Sequence, residues 1–445
     1  MIRRTNILNI KRRTLWYKSL LCRLLLCSIF LALITRCTRI EELLQFQTPR
    51  ESYILAMQKS PLAENPIFQL WETEGDSALY NALEIKPPFQ HKVIYFPDAP
   101  MAWAWKLEVQ TGRKVEFLCM VPDTSQRIFV DLFSERSGEV VHLETMSDTS
   151  LIYEAKENMT LLLRLQPEIL IGGQATLVVK DYPLLGFPVE GASQRDIGSF
   201  WGDARDGGVR LHEGVDVFAA RGTPVVAVAD GRVSRTGDGG LGGKKVWLRT
   251  RNWSIYHAHL DSIMVHSGQS VEAGDTLGTV GNTGNARTTP PHLHFGIYRR
   301  GAVNPMPFID RARTEPPPLM GDINQSYRWG RILHTANIRA DPSTNQPPLA
   351  TLRSNDVLPF CGITNGWYEV ELPGRIRGFV HHNLMTSEIT PLSDIKLSPS
   401  DSLIYPVESA WPVTPVEESW KLENYGSFGE MNLSRFQGHW VGVRN

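Results

Sequence analysis

Cysteine is scarce in this 445-residue chain: there are five, and three of them (Cys22, Cys27, Cys37) stand in the first forty residues. Only Cys119 and Cys361 remain for the body of the protein, far apart in sequence, so no disulfide framework is implied. Low-complexity tracts are absent, and the apolar run "LLLCSIFLALI", Leu24 to Ile34, falls well short of the roughly 20 residues that span a bilayer. Net charge is also nearly absent, at -1, but unevenly so. Residues 1 to 40 carry nine Lys/Arg and no Asp or Glu, which leaves -10 on the remainder. A mildly acidic body argues against nucleic acid as a partner.

A basic head followed by an apolar run of that length reads as an export signal. Arg36 and Arg39 follow the run and resist translocation, so a short uncleaved anchor is the alternative reading. "LITRC" resembles a bacterial lipoprotein box, with Arg36 where that family has a small residue, and the resemblance implies lipidation at Cys37. Localisation is expected to be the periplasm or cell envelope, with membrane attachment through the N-terminal segment or through Cys37.

At this length two to four domains are expected. Residues 50–85 have apolar positions at threes and fours, the spacing of short helices. From Val93 to Lys180 the texture changes to alternation ("RIFVDLF", "TLLLRLQ", "GQATLVVK"), the pattern of a β-sandwich. "DYPLLGFPVEGAS" breaks that pattern near residue 185, and "TEPPPLMGD", Thr314 to Asp322, is a second, proline-rich boundary. The linker is followed by five or so short strands and then by an aromatic-rich tail.

Twelve histidines are spread over the chain, six of them between residues 212 and 294. In "PPHLHFGIY", read as a strand, His292 and His294 share one face while Leu293, Phe295 and Ile297 share the other. "RLHEGVDVF" sets His212 and Asp216 four apart, which a strand would bring to one face, and "SIYHAHLDS" is expected to put His257 and His259 on a common face. The second stretch begins like the helical zinc motif His-Glu-x-x-His, but its fifth residue is Asp216, and Gly214 with two valines disfavours a helix. Glu213 is then expected to point away from a metal. Two histidines and a carboxylate suffice for a catalytic zinc, and further histidines are natural proton shuttles because their pKa lies near the operating pH. The loop "GDGGLGGKK" lacks the phosphate-binding G-x-x-x-x-G-K-[ST] pattern and reads as a flexible hairpin bordering a substrate groove. His266 fits none of these elements and is expected at the surface.

"HEGVD", "HAHL" and "HLHF", with "GTPVVAVADGRV" and "VEAGDTLGTVGNTGNARTTPPHLHF" around them, resemble the lysostaphin-type (LytM-type) zinc metallopeptidases over roughly Phe187 to Pro307. The resemblance implies one zinc per catalytic domain, held by His212, Asp216 and His294, with His259 and His292 as the catalytic pair. That family has a tyrosine where His257 stands, so the choice of His259 over His257 follows from the Ala-His-Leu context. "ANIRADPS", "GWYEV" and "RGFVHHNLM" resemble a bacterial SH3-like domain, which implies a wall-binding module or a purely structural one with Trp367 in its core.

The expected fold is mainly β. An N-terminal helical lead and β-sandwich (50–182) precedes an antiparallel peptidase domain of the duplicated hybrid, barrel-sandwich type (187–312). An SH3-like β-barrel (326–388) and a C-terminal extension (395–445), a degenerate second SH3-like repeat by its phrase "GHWVGV", complete the chain after the leader at 1–37. The expected function is an exported zinc endopeptidase that cuts stem peptides or cross-links of peptidoglycan. The alternatives are a non-enzymatic activator of cell-wall amidases and a peptidase acting on glycine-rich proteins.

Overall fold

A computed structural model describes residues 47–310, 315–321, 328–397, 402–404, 413–415, 421–436 and 439–444. The export signal and Cys37 lie outside them. The chain divides into two compact units, with the break between residues 60 and 61. In the first, helix α1 (Pro49–Gln58) starts at a capping box: the Thr48 hydroxyl accepts from the Glu51 amide while the Glu51 carboxylate accepts from the Thr48 amide. No described helix is long and apolar enough to cross a membrane.

The second unit is built mainly from antiparallel strands, with helix α2 (Pro66–Tyr80) against its first sheet. Asn65 caps α2 through the Ile67 amide, and Pro66 supplies a fixed φ at the first helical position. Trp71 from this helix is buried and donates its indole N–H to the Pro167 carbonyl at 2.7 Å. The strands beyond it alternate as their sequence demands. Trp103, Trp105, Leu107 and Val109 on one sheet face Val115, Phe117 and Cys119 on the other, all buried at every second position.

One edge of that sandwich does not end where its own sequence ends. Strand β1 (Phe89–Tyr95) pairs on one side with Gly173–Pro183 and on the other with Val357–Thr364 of the C-terminal barrel, in register Lys92↔Ile363 and Val93↔Gly362. Cys361 thereby joins Cys119 in the sandwich core, and neither is in a disulfide. The barrel has its own core of Ile338, Val357, Phe360, Val370 and Val380. Trp367 is only half-buried and packs edge-on to His381, so it does not fill that core. Residues from Ser393 onward add a further six-stranded antiparallel sheet.

Between sandwich and barrel lies the region that carries the histidine cluster. Its main sheet has eight antiparallel strands, and the elements that matter are β2 (Ala204–Arg205), β3 (Arg210–Leu211), β4 (Val215–Phe218), β5 (Lys244–Arg249), β6 (Ser254–Leu260) and β7 (His292–Tyr298). Strand β7 is central, flanked by β4 and β6. Its back face buries Leu293, Phe295 and Ile297 against Val215, Val217 and Ile255, all fully buried. A single large-to-small change there costs about 2–5 kcal/mol.

Candidate metal centre

The β4–β7 register decides which side chains meet. Val215 pairs with Phe295 and Val217 with Leu293 on the core face; Asp216 pairs with His294 and Phe218 with His292 on the other. Alternation along β7 is therefore as expected from "PPHLHFGIY". His212 reaches Asp216 by a different route. Four residues of strand span about 13 Å, yet His212 Nε2 lies 3.1 Å from Asp216 Oδ1. The chain is not a strand over His212–Gly214 but bends there before β4 begins. Gly214 permits the bend, since a Cβ at that position would lie 2.6 Å from the Phe295 carbonyl oxygen and 2.7 Å from His294 Cε1.

His212, Asp216 and His294 form a tight triangle of donor atoms. His212 Nε2 and His294 Nδ1 are 2.9 Å apart, and His294 Nδ1 is 3.0 Å from Asp216 Oδ1. The other nitrogen of His212, Nδ1, lies 2.9 Å from the Phe200 carbonyl, to which it donates its proton. That bond leaves Nε2 as a bare lone pair, which is how a metal-binding imidazole is set up. With no cation among them, a lone pair would face a carboxylate oxygen at 3.1 Å, a repulsive contact inside a buried site. Donors placed tetrahedrally at roughly 2.0–2.1 Å from a zinc stand about 3.3 Å apart, so the three atoms fit such an ion closely. Among the described residues this is the group of His, Cys, Asp and Glu side chains that meets the spacing of a metal site.

His259 and His292 stand beside the triangle, with ring centroids 5.1 Å apart. Each fixes its tautomer through Nδ1: His259 donates to the Thr283 carbonyl at 2.8 Å and His292 to the Pro290 carbonyl at 2.9 Å. Both Nε2 atoms are left as acceptors. His257 does not share this face, contrary to the expectation from strand alternation. It pairs with Val246 and Phe295 on the core side, is fully buried and stacks edge-on against Phe295. The alternation fails because His259 has a left-handed backbone, with φ of 63°. This turns its side chain back to the face of Tyr256 and Ala258.

Residues 210–305 match Peptidase family M23, and residues 334–386 match the Bacterial SH3 domain. The chain carries an M23 peptidase domain followed by a bacterial SH3 domain. The relatives include the L-Ala--D-Glu endopeptidase of Bacillus subtilis, 40% identical over 139 residues, or 29% of this chain and 39% of that protein. The Peptidoglycan DD-endopeptidase ShyC of Vibrio cholerae is 39% identical over 96 residues, or 21% of this chain and 22% of that protein. The catalytic domain of lysostaphin from Staphylococcus simulans is similar over 25% of this chain and 89% of its own, at 34% identity and a TM-score of 0.24. The match thus spans only about a fifth to two-fifths of the length of the two curated relatives.

Electrostatics in the M23 domain follow from burial. Burial pushes the Asp216 carboxyl upward, but the His212 and His294 imidazoles packed against it outweigh that and hold the group well below the usual carboxylate range. Burial lowers the pKa of His294 and takes that of His259 to about 4. Both imidazoles are therefore neutral at pH 7, the form in which nitrogen can bind a metal or accept a proton.

The M23 groove around these residues has a volume of about 450 Å³ and also takes in Arg205, Arg210, Glu213, Leu241, Tyr256 and Tyr298. Glu213 is not among the three donors but lines this groove, where its charge adds to burial in raising the Tyr298 phenol to about 12. His266 is exposed. The glycine-rich loop borders the groove as expected, but it is tied down and not the flexible hairpin that its glycines suggest. The His259 amide donates to the Gly242 carbonyl at 2.9 Å and the Asn285 amide to the Leu241 carbonyl at 3.0 Å. Arg205 is the residue that sequence reasoning missed. Its Nη2 donates to Asp216 Oδ2 at 2.8 Å, so it orients the carboxylate from behind. No periodicity links it to His212 or Asp216, and only the hairpin fold brings it in.

Proposed function

We propose that the M23 domain is a zinc-dependent endopeptidase that hydrolyses peptide bonds in the stem peptides or cross-links of peptidoglycan. The observation that carries this reading is the donor triangle of His212, Asp216 and His294 in one groove with two further imidazoles whose Nε2 atoms are free to accept. A zinc ion held by those three residues supplies Lewis acidity, polarising a peptide carbonyl and acidifying water. His259 and His292 manage protons. Each has its Nδ1 proton committed to a backbone carbonyl, so Nε2 is the nitrogen that can accept a proton from the attacking water. The same nitrogen, once protonated, donates to the leaving amine or to the oxygen on which charge develops. Arg205 fixes the Asp216 carboxylate, and burial of the triangle strengthens each of these interactions.

The activities of the relatives, an L-Ala--D-Glu endopeptidase and a peptidoglycan DD-endopeptidase, support peptidoglycan as the substrate. The basic head and apolar run at residues 1–34 support export to the cell envelope, where that polymer lies. Purified sacculi incubated with the protein should release peptide fragments identifiable by mass spectrometry. Chelator should stop the release, and His292→Ala should cut it by about 10²-fold or more with metal content unchanged. Undiminished digestion in chelator would overturn the zinc mechanism. Intact sacculi beside cleavage of a glycine-rich protein would move the substrate outside the wall.

A further inference from the structure

Another cleft, of about 460 Å³, opens where the C-terminal barrel meets the six-stranded sheet that follows it. Its volume matches that of the catalytic groove and lies in the range of small-ligand sites, about 300–1,000 Å³. The walls are aromatic. Trp329 comes from the barrel strand Trp329–Ile332, and Tyr425 and Trp440 come from the sheet strands Lys421–Phe428 and His439–Arg444. The Trp440 ring centroid lies 5.0 Å from that of Tyr425 and 6.3 Å from that of Trp329. Trp329 is only 2% exposed, yet its indole N–H has no acceptor among the described residues. Arg435 stands opposite Trp440 in the strand register and lays its guanidinium over the indole, 5.0 Å from the ring centroid. That side chain is exposed and lines the cleft, and its N–H donors bond to no described residue.

Little of this serves the fold. The half-buried Trp440 keeps apolar surface in water, and the unmet Trp329 donor costs stability. Both are relieved by an occupant with a flat apolar face whose edge carries carbonyl and hydroxyl oxygens. We infer that the cleft binds a pyranose ring of an N-acetylated glycan, its C–H face against the wall of Trp329, Tyr425 and Trp440, its acetamido carbonyl accepting from the Trp329 N–H and its hydroxyls from Arg435. This rests on the peptidase reading above, which names the polymer. Stem peptides carry no ring. Each sugar of the glycan strand is a pyranose with an acetamido group, so the glycan is the part of that polymer in which a flat apolar face and a carbonyl acceptor occur together.

The test uses the full-length protein loaded with zinc. Binding is measured calorimetrically in the His292→Ala background, which consumes little of its ligand, with tri-N-acetylchitotriose, with cellotriose, which has a hydroxyl in place of each acetamido group, and with a free stem peptide. In parallel, hydrolysis of the stem peptide is measured in the His292 protein. The acetylated sugar should bind saturably and about fivefold more tightly than cellotriose, the scale of one added hydrogen bond. Arg435→Gln and Trp440→Ala should each weaken it by about fivefold, with circular dichroism, zinc content, stem-peptide affinity and stem-peptide hydrolysis unchanged. Arg435 is exposed, so its variant decides the matter even where Trp440→Ala disturbs the sheet. No saturable binding of the acetylated sugar, equal binding of cellotriose, affinity unchanged by Arg435→Gln, or a stem-peptide affinity that falls with it would each overturn the glycan site. Glycan binding in a protein that cleaves no stem peptide would uphold the site and overturn the peptidase reading. Cleavage without glycan binding would do the reverse.

Discussion

His257 and His259 are two residues apart and chemically identical, yet their surroundings make them opposites. His259 meets the groove, with its tautomer fixed by the Thr283 carbonyl. His257 is sealed in the core against Phe295, and burial pushes its pKa from 6.5 down to about 4. Between those two values the unfolded chain takes up a proton that the folded chain refuses. The folded state is therefore at its full stability above pH 6.5 and loses stability as pH falls toward 4. For this one group the loss is about 3 kcal/mol. His257→Phe removes it, so the variant's urea midpoint should fall less between pH 7 and pH 4.5 than that of the unsubstituted protein. Identical pH dependence of the two midpoints would mean that neutral burial of His257 carries no cost.

At the scale of elements, the site depends on two places where the backbone leaves regular geometry. The first is the bend before β4. Gly214→Ala sets a methyl group against the Phe295 carbonyl and the His294 ring, so it should weaken zinc binding by about tenfold or more while the chain stays folded. Competition with a chromophoric chelator measures this, and unchanged affinity would show that the bend tolerates a side chain. The second is the left-handed turn at His259, held by the Gly242 carbonyl. A Cβ on Gly242 would lie 1.9 Å from the Tyr256 hydroxyl, so Gly242→Ala should lower kcat with zinc content unchanged. Loss of zinc together with activity would instead mean that the loop supports the metal. These two places also mark the limit of what the sequence makes legible. Along β7 the pleat forces apolar and polar residues to alternate, so the faces of His292 and His294 can be read directly from "HLHF". The turn at His259 is a backbone event at a residue type that seldom adopts it, and no side-chain pattern announces it. His212 and Asp216 are readable as partners from the family resemblance, but the bend that unites them is encoded only in Gly214.

For the whole molecule, the unforeseen feature is the sheet shared by sandwich and barrel. Pairing of β1 with Val357–Thr364 joins segments far apart in sequence, and neither segment's alternation names its partner. A buried polar cluster lies at this seam. The Trp103 indole donates to Glu369 Oε2 at 2.8 Å, His91 Nε2 lies 3.4 Å from the same oxygen, and Arg377 Nη1 is 3.8 Å from Oε1. Burial pushes the Glu369 carboxyl up, but these partners outweigh it and hold the group low. Glu369→Ala strands the Trp103 indole N–H in the interior and removes the carboxylate beside His91, and should cost about 1–3 kcal/mol. Because the seam is continuous, sandwich and barrel should still unfold together. Tryptophan fluorescence and far-UV circular dichroism should then give coincident denaturation curves, and two separated transitions would show that the shared sheet does not couple them. A barrel built into the sheet in this way is a fixed part of the scaffold and not a tethered arm.

The central claim, that His212, Asp216 and His294 together hold one zinc ion, is tested most directly by metal analysis of the purified, zinc-equilibrated and desalted chain beside its His294→Ala variant. The account predicts one zinc per chain for the former and less than about a tenth of that for the latter, at unchanged circular dichroism. Zinc retained at one per chain in the variant, or none in the parent protein, would contradict it.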